Sequence, residues 1–367
     1  MTSPPQQDTS VPVPSNQKGP TPSITRLAGK FVVAASLVDL VAVLALLVLL
    51  CVVSENWWPS LALTYLPRVL YLLPPLFLMI AAAIVRRRWI WINLFSLLLV
   101  VGPIMGLRLP ISGLNGGSGA GELLTIVSCN IQGGGRDLTK ILAELEEIQP
   151  DVVVLQEAND GIKTIMPFFE GWSQVHKGEY FVASRFPVKL RDICRAEAFR
   201  RATAILCEVD GPDGPFLICD VHLTTARFGL SNLRLHSMAT GVGLDELIGR
   251  QDLRAMEALE TRSFASQDGF KTPLLAMGDF NTPSSSSLFQ THWGDLSSAF
   301  DVAGFGYGYT SPCSDHGHWP SNTPWLRIDH ILCSRQWTVE RCWIGTSDGS
   351  DHRLIAAKMR MQPAQSL

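Results

Sequence analysis

The sequence has no excess of basic charge. Its 30 Lys+Arg stand against 33 Asp+Glu, a formal net charge of −3. The imbalance is uneven: residues 122–367 hold 22 basic and 30 acidic residues, the first 121 hold 8 and 3. Proteins that grip nucleic acid by neutralising phosphates usually show a basic face, so the net charge leans against strong nonspecific nucleic-acid binding, although the sum can hide a local basic patch. Also missing is any Cys/His cluster with zinc-ligand spacing, which argues against a zinc hydrolase. There is no GxxxxGK[ST] phosphate loop. Gly133-Gly134-Gly135 has no Lys or Ser/Thr at the required offsets and reads as a turn beside Asn130. Residues 1–29 are nearly without large apolar side chains and rich in Pro, Ser, Thr and Gln. Such a tail cannot bury enough surface to offset its ordering entropy and reads as disordered. The apolar run that follows starts too late and lasts too long for a cleaved signal peptide.

Apolar sequence is abundant from there on. Residues 31–53 are apolar apart from Ser36 and Asp39; residues 69–85 surround Pro74-Pro75; residues 90–109 contain only Asn93 and Ser96 as uncharged polar interruptions before Arg108. A helix needs about 20 apolar residues to cross a bilayer. The first and third runs have that length, and the second reaches it by extending back through Tyr65 and Leu66, with the proline pair as a kink. Residues 30–110 therefore read as three transmembrane helices, with the lipid bilayer as partner. Lys18, Arg26 and Lys30 precede the first span and Arg86-Arg87-Arg88 join the second to the third, whereas the outer flanks carry Arg68 and Arg108. The positive-inside rule then puts the N-terminus in the cytoplasm and everything after the third span on the outer, periplasmic or extracellular, side. Trp57, Trp58, Trp89 and Trp91 lie near span ends, where an aromatic belt forms. Asp39 is expected at the cytoplasmic end, hydrated or paired with Lys30 or another helix. Residues 111–121 read as a Gly/Ser linker, and residues 362–367 as a C-terminal tail.

Residues 122–361 alternate short apolar strands with amphipathic helices, an α/β pattern. Strands are predicted at 123–129, 151–155, 179–184, 202–209, 216–221, 274–277, 327–333 and 354–359, with helices at 138–148 and 245–264. Polar residues recur at the strand ends: Asn130, Glu157, His222, Asp279, Asn281, Asp329, Asp351 and His352. Buried strands deliver such residues to one rim with little positional freedom. Carboxylates and amides are hard ligands suited to Mg²⁺, or Mn²⁺, and the two histidines suit proton transfer or hydrogen bonding to a transition state. Taken singly each has a plain structural reading. Asp279-Phe280-Asn281 is a turn composition, and a lone histidine is usually a satisfied core residue. His176, His236, His292, His316, His318 and His330 are left with that reading. Of eight cysteines, Cys194 and Cys207 flank a hairpin and form the disulfide pair to test first on an outward-facing domain.

In order, Asn130, Gln156-Glu157, Asp220-x-His222, Gly278-Asp279-Phe280-Asn281, Ile328-Asp329-His330 and Ser350-Asp351-His352 resemble the motifs of the endonuclease/exonuclease/phosphatase superfamily, deoxyribonuclease-I-like members included. The resemblance covers residues 122–360. It implies a four-layer α/β sandwich with two mixed β-sheets, and a Mg²⁺-dependent hydrolase of phosphoric esters. It also implies roles: Glu157, Asn130 and Asp351 at the metal; Asp279 and Asn281 orienting water and holding phosphate; His352 against the scissile phosphate, oriented by Asp329; His222 as acid for the leaving oxygen. A further site residue is expected at Glu179 or Tyr180. Three functions fit: a nuclease, a phospholipid or sphingolipid phosphodiesterase, and a catalytically dead membrane-tethered binding module. The substrate is a phosphoester, nucleic acid or lipid headgroup; no protein partner is predicted.

Overall fold

The computed structural model describes residues 24–110, 121–134, 136–226, 244–313 and 320–362. The expected linker at 111–121, apart from residue 121, and most of the N- and C-terminal tails lie outside these residues, as do His236, His316 and His318.

The N-terminal part is helical. α1 (Ile24–Val48) continues through a π-turn and a 3-10 turn, giving one apolar helix from Arg26 to Asn56. Two more, Arg68–Val85 and Arg87–Ile104, are also long and apolar enough to cross a membrane. Large apolar side chains point away from the protein all along them: Phe31, Val38, Phe77, Ile84 and Trp91 are each more than two-thirds exposed. Such exposed apolar surface suits contact with lipid or another apolar partner.

Two details differ from expectation. The second apolar helix does not extend back through Tyr65. A separate short helix, α2 (Trp58–Tyr65), ends there, and Leu66 turns extended ahead of Pro67. The Pro74-Pro75 pair sits where the 3-10 turn Arg68–Leu72 gives way to an α-helix. It lies in the first turn of α3 (Leu73–Val85), where missing N–H groups cost nothing because they have no intrahelical partner. α4 (Ile90–Leu99) follows, and Asp39 is buried within the apolar bundle.

The rest of the chain forms two six-stranded sheets. In chain order come β1 (Leu123–Asn130), α5 (Leu138–Ile148), β2 (Val152–Gln156), α6 (Ile162–Phe168), β3 (Ser173–Lys177) and β4 (Tyr180–Ser184). Then come β5 (Val188–Ala196), β6 (Arg201–Gly211), β7 (Gly214–His222), α7 (Leu244–Ala265), β8 (Leu274–Asp279), α8 (Ser287–Trp293), β9 (Ser297–Ser298), α9 (Ala299–Ala303) and β10 (Asp329–Cys333). β11 (Trp337–Ile344) and β12 (Ile355–Met361) return to the first sheet, whose order is β11-β12-β1-β2-β4-β3; the second runs β5-β6-β7-β8-β10-β9. Only β1/β2 and β7/β8 pair in parallel; the other pairs are antiparallel.

The sheets pack face to face through Ile126, Val154, Ile205, Phe216, Ile218, Met277 and Ile355, among others. α5 and α6 cover the outer face of the first sheet; α7 and α8 cover that of the second. The result is the expected four-layer α/β sandwich with two mixed β-sheets. Its central strands are apolar on both faces because both are covered. Strand pairing also rules out the Cys194–Cys207 disulfide. Cys194 pairs with Ala204 and Cys207 with Leu190. Cys194 faces the α7 layer and Cys207 the inter-sheet core, so no side-chain motion joins them, and all eight cysteines are free.

Candidate active site

Register brings the polar strand ends to one level. His222 on β7 is paired with Asp279 on β8, and Asp279 with Asp329 on β10. In the other sheet Asn130 on β1 is paired with Gln156 on β2, and Glu157 follows. The two rims meet across the sandwich. Asn130 Nδ2 donates to Glu157 Oε1 at 2.9 Å and to Asp279 Oδ2 at 3.1 Å. Beneath them, Gln156 Nε2 donates to Asp220 Oδ1 at 2.7 Å, a polar tie between the sheets. Burial raises the Asp220 carboxyl well above its ordinary range, against the opposing effect of Gln156.

Local backbone explains the Gly278-Asp279-Phe280-Asn281 sequence. Gly278 has φ 137°, and a Cβ there would lie 2.0 Å from the Val221 carbonyl oxygen; only glycine fits. Phe280 is fully buried, edge-on to Trp293 with ring centroids 4.9 Å apart. Asn281 then turns left-handed at φ 50°, so its backbone N–H donates to Asp279 Oδ1 at 2.9 Å and its Nδ2 reaches Asp279 Oδ2 at 3.1 Å. Glu157 is also left-handed, φ 53°. Such conformations are costly outside glycine and asparagine and concentrate at functional sites.

Two carboxylate–imidazole pairs converge on Asp279. His352 Nδ1 lies 2.8 Å from Asp329 Oδ2, and its Nε2 is 3.7 Å from Asp279 Oδ2. His222 Nδ1 lies 3.2 Å from Glu179 Oε1, at an angle too poor for a hydrogen bond, and its Nε2 is 3.9 Å from Asp279 and 3.7 Å from Glu157. Burial alone would lower the His352 pKa, but the Asp329 and Asp279 carboxylates outweigh it and push it up to about 10. The same contest, with Glu179 and Asp279 as the raising charges, moves His222 upward. Burial lifts Asp279 to about 6, with His352 opposing. Both imidazoles are thus shifted toward the cationic form, with their Nε2 atoms turned toward the same carboxylate.

This charge state has a consequence for stability. The unfolded pKa of His is about 6.5 and the folded value for His352 about 10. The stability it contributes is fully present below about pH 6.5 and lost as pH rises through about 10. In EDTA, Asp329→Asn should therefore destabilise the protein more below about pH 6.5 than above about pH 10. Urea denaturation across that range measures it; a destabilisation independent of pH would mean the pair is not ionic.

The structure gathers Asn130, Glu157, His222, Asp279, Asn281, Asp329 and His352 within one contact network. Asp351 adjoins it: the segment carrying it is tied to β1 by Ser350 Oγ donating to the Asn130 carbonyl at 2.8 Å. Asn130 differs in detail from a metal ligand, since its Oδ1 accepts from Gln132 N at 3.0 Å and its Nδ2 faces the carboxylates. Among the described residues, the tight group with metal-ligand atoms is Asp279, Asp329 and His352, but Asp329 and His352 are committed to each other. Glu157 has the most accessible carboxylate at the rim and, among the described residues, no Lys or Arg within ion-pair distance. With Asp279, Asp329, Asp351 and Glu179 around it, the site has more acid than base, which a divalent cation bound by hard oxygens would complement.

Sequence reasoning left Glu179 and Tyr180 open. Glu179 faces the site; Tyr180 is in the core, its hydroxyl donating to the Ala202 carbonyl at 3.1 Å. Burial would raise the Glu179 carboxyl, but His222 and Arg201, 3.1 Å away, hold it below its usual range. Arg201 was missed, as was Arg254, whose Nη2 donates to the Asn281 carbonyl at 3.0 Å and whose Nε donates to the Thr224 carbonyl at 2.9 Å. One guanidinium thus clamps the loops after β7 and β8. Tyr65 of the apolar region joins the same clamp, accepting from Arg254 Nη2 at 3.0 Å. Nothing local in the sequence marks these residues, because they act through partners up to 189 positions away.

Residues 127–352 match the model of the Endonuclease/Exonuclease/phosphatase family. No curated protein matches the sequence. Among solved structures, an endonuclease/exonuclease/phosphatase family protein from Bacteroides thetaiotaomicron is similar over 68% of this chain and 99% of its own, with TM-score 0.51 and 15% identity. Truncated Caenorhabditis elegans TDP2 is similar over 65% and 98%, TM-score 0.46 and 17% identity. The human Nocturnin catalytic domain with bound sulfate is similar over 65% and 94%, TM-score 0.44 and 18% identity. The first of these shows the fold.

Proposed function

The chain belongs to the endonuclease/exonuclease/phosphatase family, and from that premise we propose that it is a membrane-anchored, Mg²⁺-dependent phosphodiester hydrolase acting at the outer membrane surface. The observation that carries the reading is the convergence of two imidazole–carboxylate pairs on Asp279 beside the Glu157 carboxylate, which is flanked by Asn130 and His222 and has no Lys or Arg in ion-pair contact among the described residues. A dead scaffold has no use for four buried ionisable groups, His222, Asp279, Asp329 and His352, held at that spacing, since each costs desolvation.

In this reading Glu157 and Asp351 hold the cation, and Asn130 orients the Glu157 carboxylate. The bound metal supplies charge neutralisation at the phosphoryl oxygens. Asp279 accepts the proton of the attacking water. Its ionised form is favoured by two flanking imidazoliums and the Asn281 amide. His352 Nε2–H donates to an oxygen on which charge accumulates, while Asn281, whose Nδ2 hydrogens go to Asp279 Oδ2 and the Leu223 carbonyl, holds Asp279 in place. His222, held by Glu179, protonates the leaving oxygen.

The substrate reading follows from where the site sits. The catalytic domain docks on segments that flank the apolar helices: Trp325 Nε1 donates to the Tyr65 carbonyl at 3.1 Å, Tyr309 hydroxyl to the Met105 carbonyl at 2.9 Å, and Arg108 pairs with Asp301 at 2.9 Å. If the apolar helices span a bilayer, this docking keeps the site close to its surface, and with a net-acidic domain that supports a membrane-borne phosphoester over a long polyanion. The full chain, assayed with Mg²⁺ on phospholipid and sphingolipid vesicles, plasmid DNA and RNA, should hydrolyse a lipid substrate, with a shallow response to salt. Preferential cleavage of nucleic acid, with binding that weakens steeply as salt rises, would replace the lipid reading with a nuclease.

A further inference from the structure

A second charged site lies where the apolar helices meet the catalytic domain. A cavity of about 60 Å³ is lined there by Arg68 at the start of the second apolar helix, Arg108 beyond the third, and Ser284, Ser285 and Arg327 of the catalytic domain. Three guanidinium groups share one small space. Among the described residues, the carboxylate in ion-pair contact with them is Asp301, which serves both Arg108 at 2.9 Å and Arg327 at 2.6 Å.

Arg68 has no carboxylate in ion-pair contact among the described residues. It is 5% exposed. Its Nη1 donates to the Ile104 carbonyl at 2.7 Å and its Nη2 to the Ser285 hydroxyl at 2.8 Å, both neutral acceptors. Its Nε–H, and the Nη1 of Arg327, which is likewise 5% exposed, have no hydrogen-bond partner among the described residues. Guanidinium does not shed its proton, so a buried one without a counter-charge is strongly unfavourable. An anion would remove that cost, and the Arg fork matches phosphate oxygens.

We propose that this cavity binds a phosphate-bearing anion, with Arg68, Arg108 and Arg327 as its charge partners, supplied either by a phospholipid headgroup or by free phosphate. The inference rests on the membrane reading of the apolar helices and not on the hydrolytic reading. Arg68 and Arg108 terminate spans, so the cavity lies at the depth of lipid phosphates. Its Ser284 and Ser285 follow closely on Asn281, so an occupant joins the catalytic loop to the membrane surface.

The test uses the full chain in EDTA, in nanodiscs of phosphatidylcholine with or without phosphatidylglycerol, and in phosphatidylcholine alone with inorganic phosphate. Melting temperature and retained lipid, by native mass spectrometry, are read for wild type, Arg68→Gln and Arg108→Gln. Arg108 is 44% exposed in its side chain, so its variant stays folded if Arg68→Gln does not. Phosphatidylglycerol should raise the melting temperature and be retained, with affinity about tenfold weaker in each variant, the scale of one charge-assisted donor. Stabilisation by inorganic phosphate alone, weakened in the variants, would keep the site and assign it a soluble ligand. No stabilisation by either, or stabilisation unchanged in both variants, would overturn the proposal.

Discussion

Asp279→Asn should lower kcat by about two to four orders of magnitude, the range for loss of a general base, while leaving KM nearly unchanged. Asp279 is 1% exposed, and both His222 and His352 aim Nε2 at it. Asparagine keeps the shape and can still accept from the Asn281 backbone N–H. It cannot take a proton from water, and it removes the negative charge that holds two imidazoliums together. The substitution also sets an amide donor against Asn130 Nδ2 and Asn281 Nδ2, both now donating to Asp279 Oδ2. Melting temperature must therefore be measured beside the rate. A folded variant with wild-type kcat would remove Asp279 from the chemistry.

His352→Ala should cost roughly two to three orders of magnitude in kcat, the scale of one lost transition-state donor, again with little change in KM. Asp329→Asn should cost less, because the ring stays in place beside an isosteric amide with altered charge and tautomer. The double variant should lose far less than the two losses combined, since the residues act as one unit through the 2.8 Å contact. All three are compared with one soluble substrate after folding is confirmed. Additive losses would mean that Asp329 serves something other than His352.

How much of this was legible in the sequence depended on how local the information was. The strand ends were legible because buried apolar runs give way to polar residues at the rim, as at Asn130, His222 and Asp279, although Asp220 inside β7 shows that a buried polar residue need not end a strand. Strand β10 begins at Asp329 rather than two residues earlier, a boundary difference that leaves Asp329 at the rim. β3, β5 and β11 were missed because they are partly exposed and carry charged residues, as in the Lys189, Arg191 and Asp192 stretch of β5. Glu179 was legible only as an alternative to Tyr180, since either side chain at that strand start could face the rim; pairing with His222 decides it. Arg201 and Arg254 were not legible at all. Their partners come from other strands and loops, and an arginine reads as surface until the fold closes over it. The docking of Tyr65 and Arg68 on the catalytic domain was invisible for the same reason, and a span reading that ran the second helix through Tyr65 concealed the short helix that makes the contact.

The most direct test is hydrolysis of a generic bis-aryl phosphodiester by the full chain in detergent or nanodiscs, with wild type and Glu157→Gln compared in Mg²⁺, Mn²⁺ and EDTA. Glu157 is the rim carboxylate assigned to the cation, and its amide keeps the shape while removing the charge. Wild type should turn over in Mg²⁺ or Mn²⁺ and lose that activity in EDTA, and Glu157→Gln should need far more metal to reach any rate. Full wild-type activity in EDTA, or a Glu157→Gln variant with unchanged metal dependence, would contradict the account.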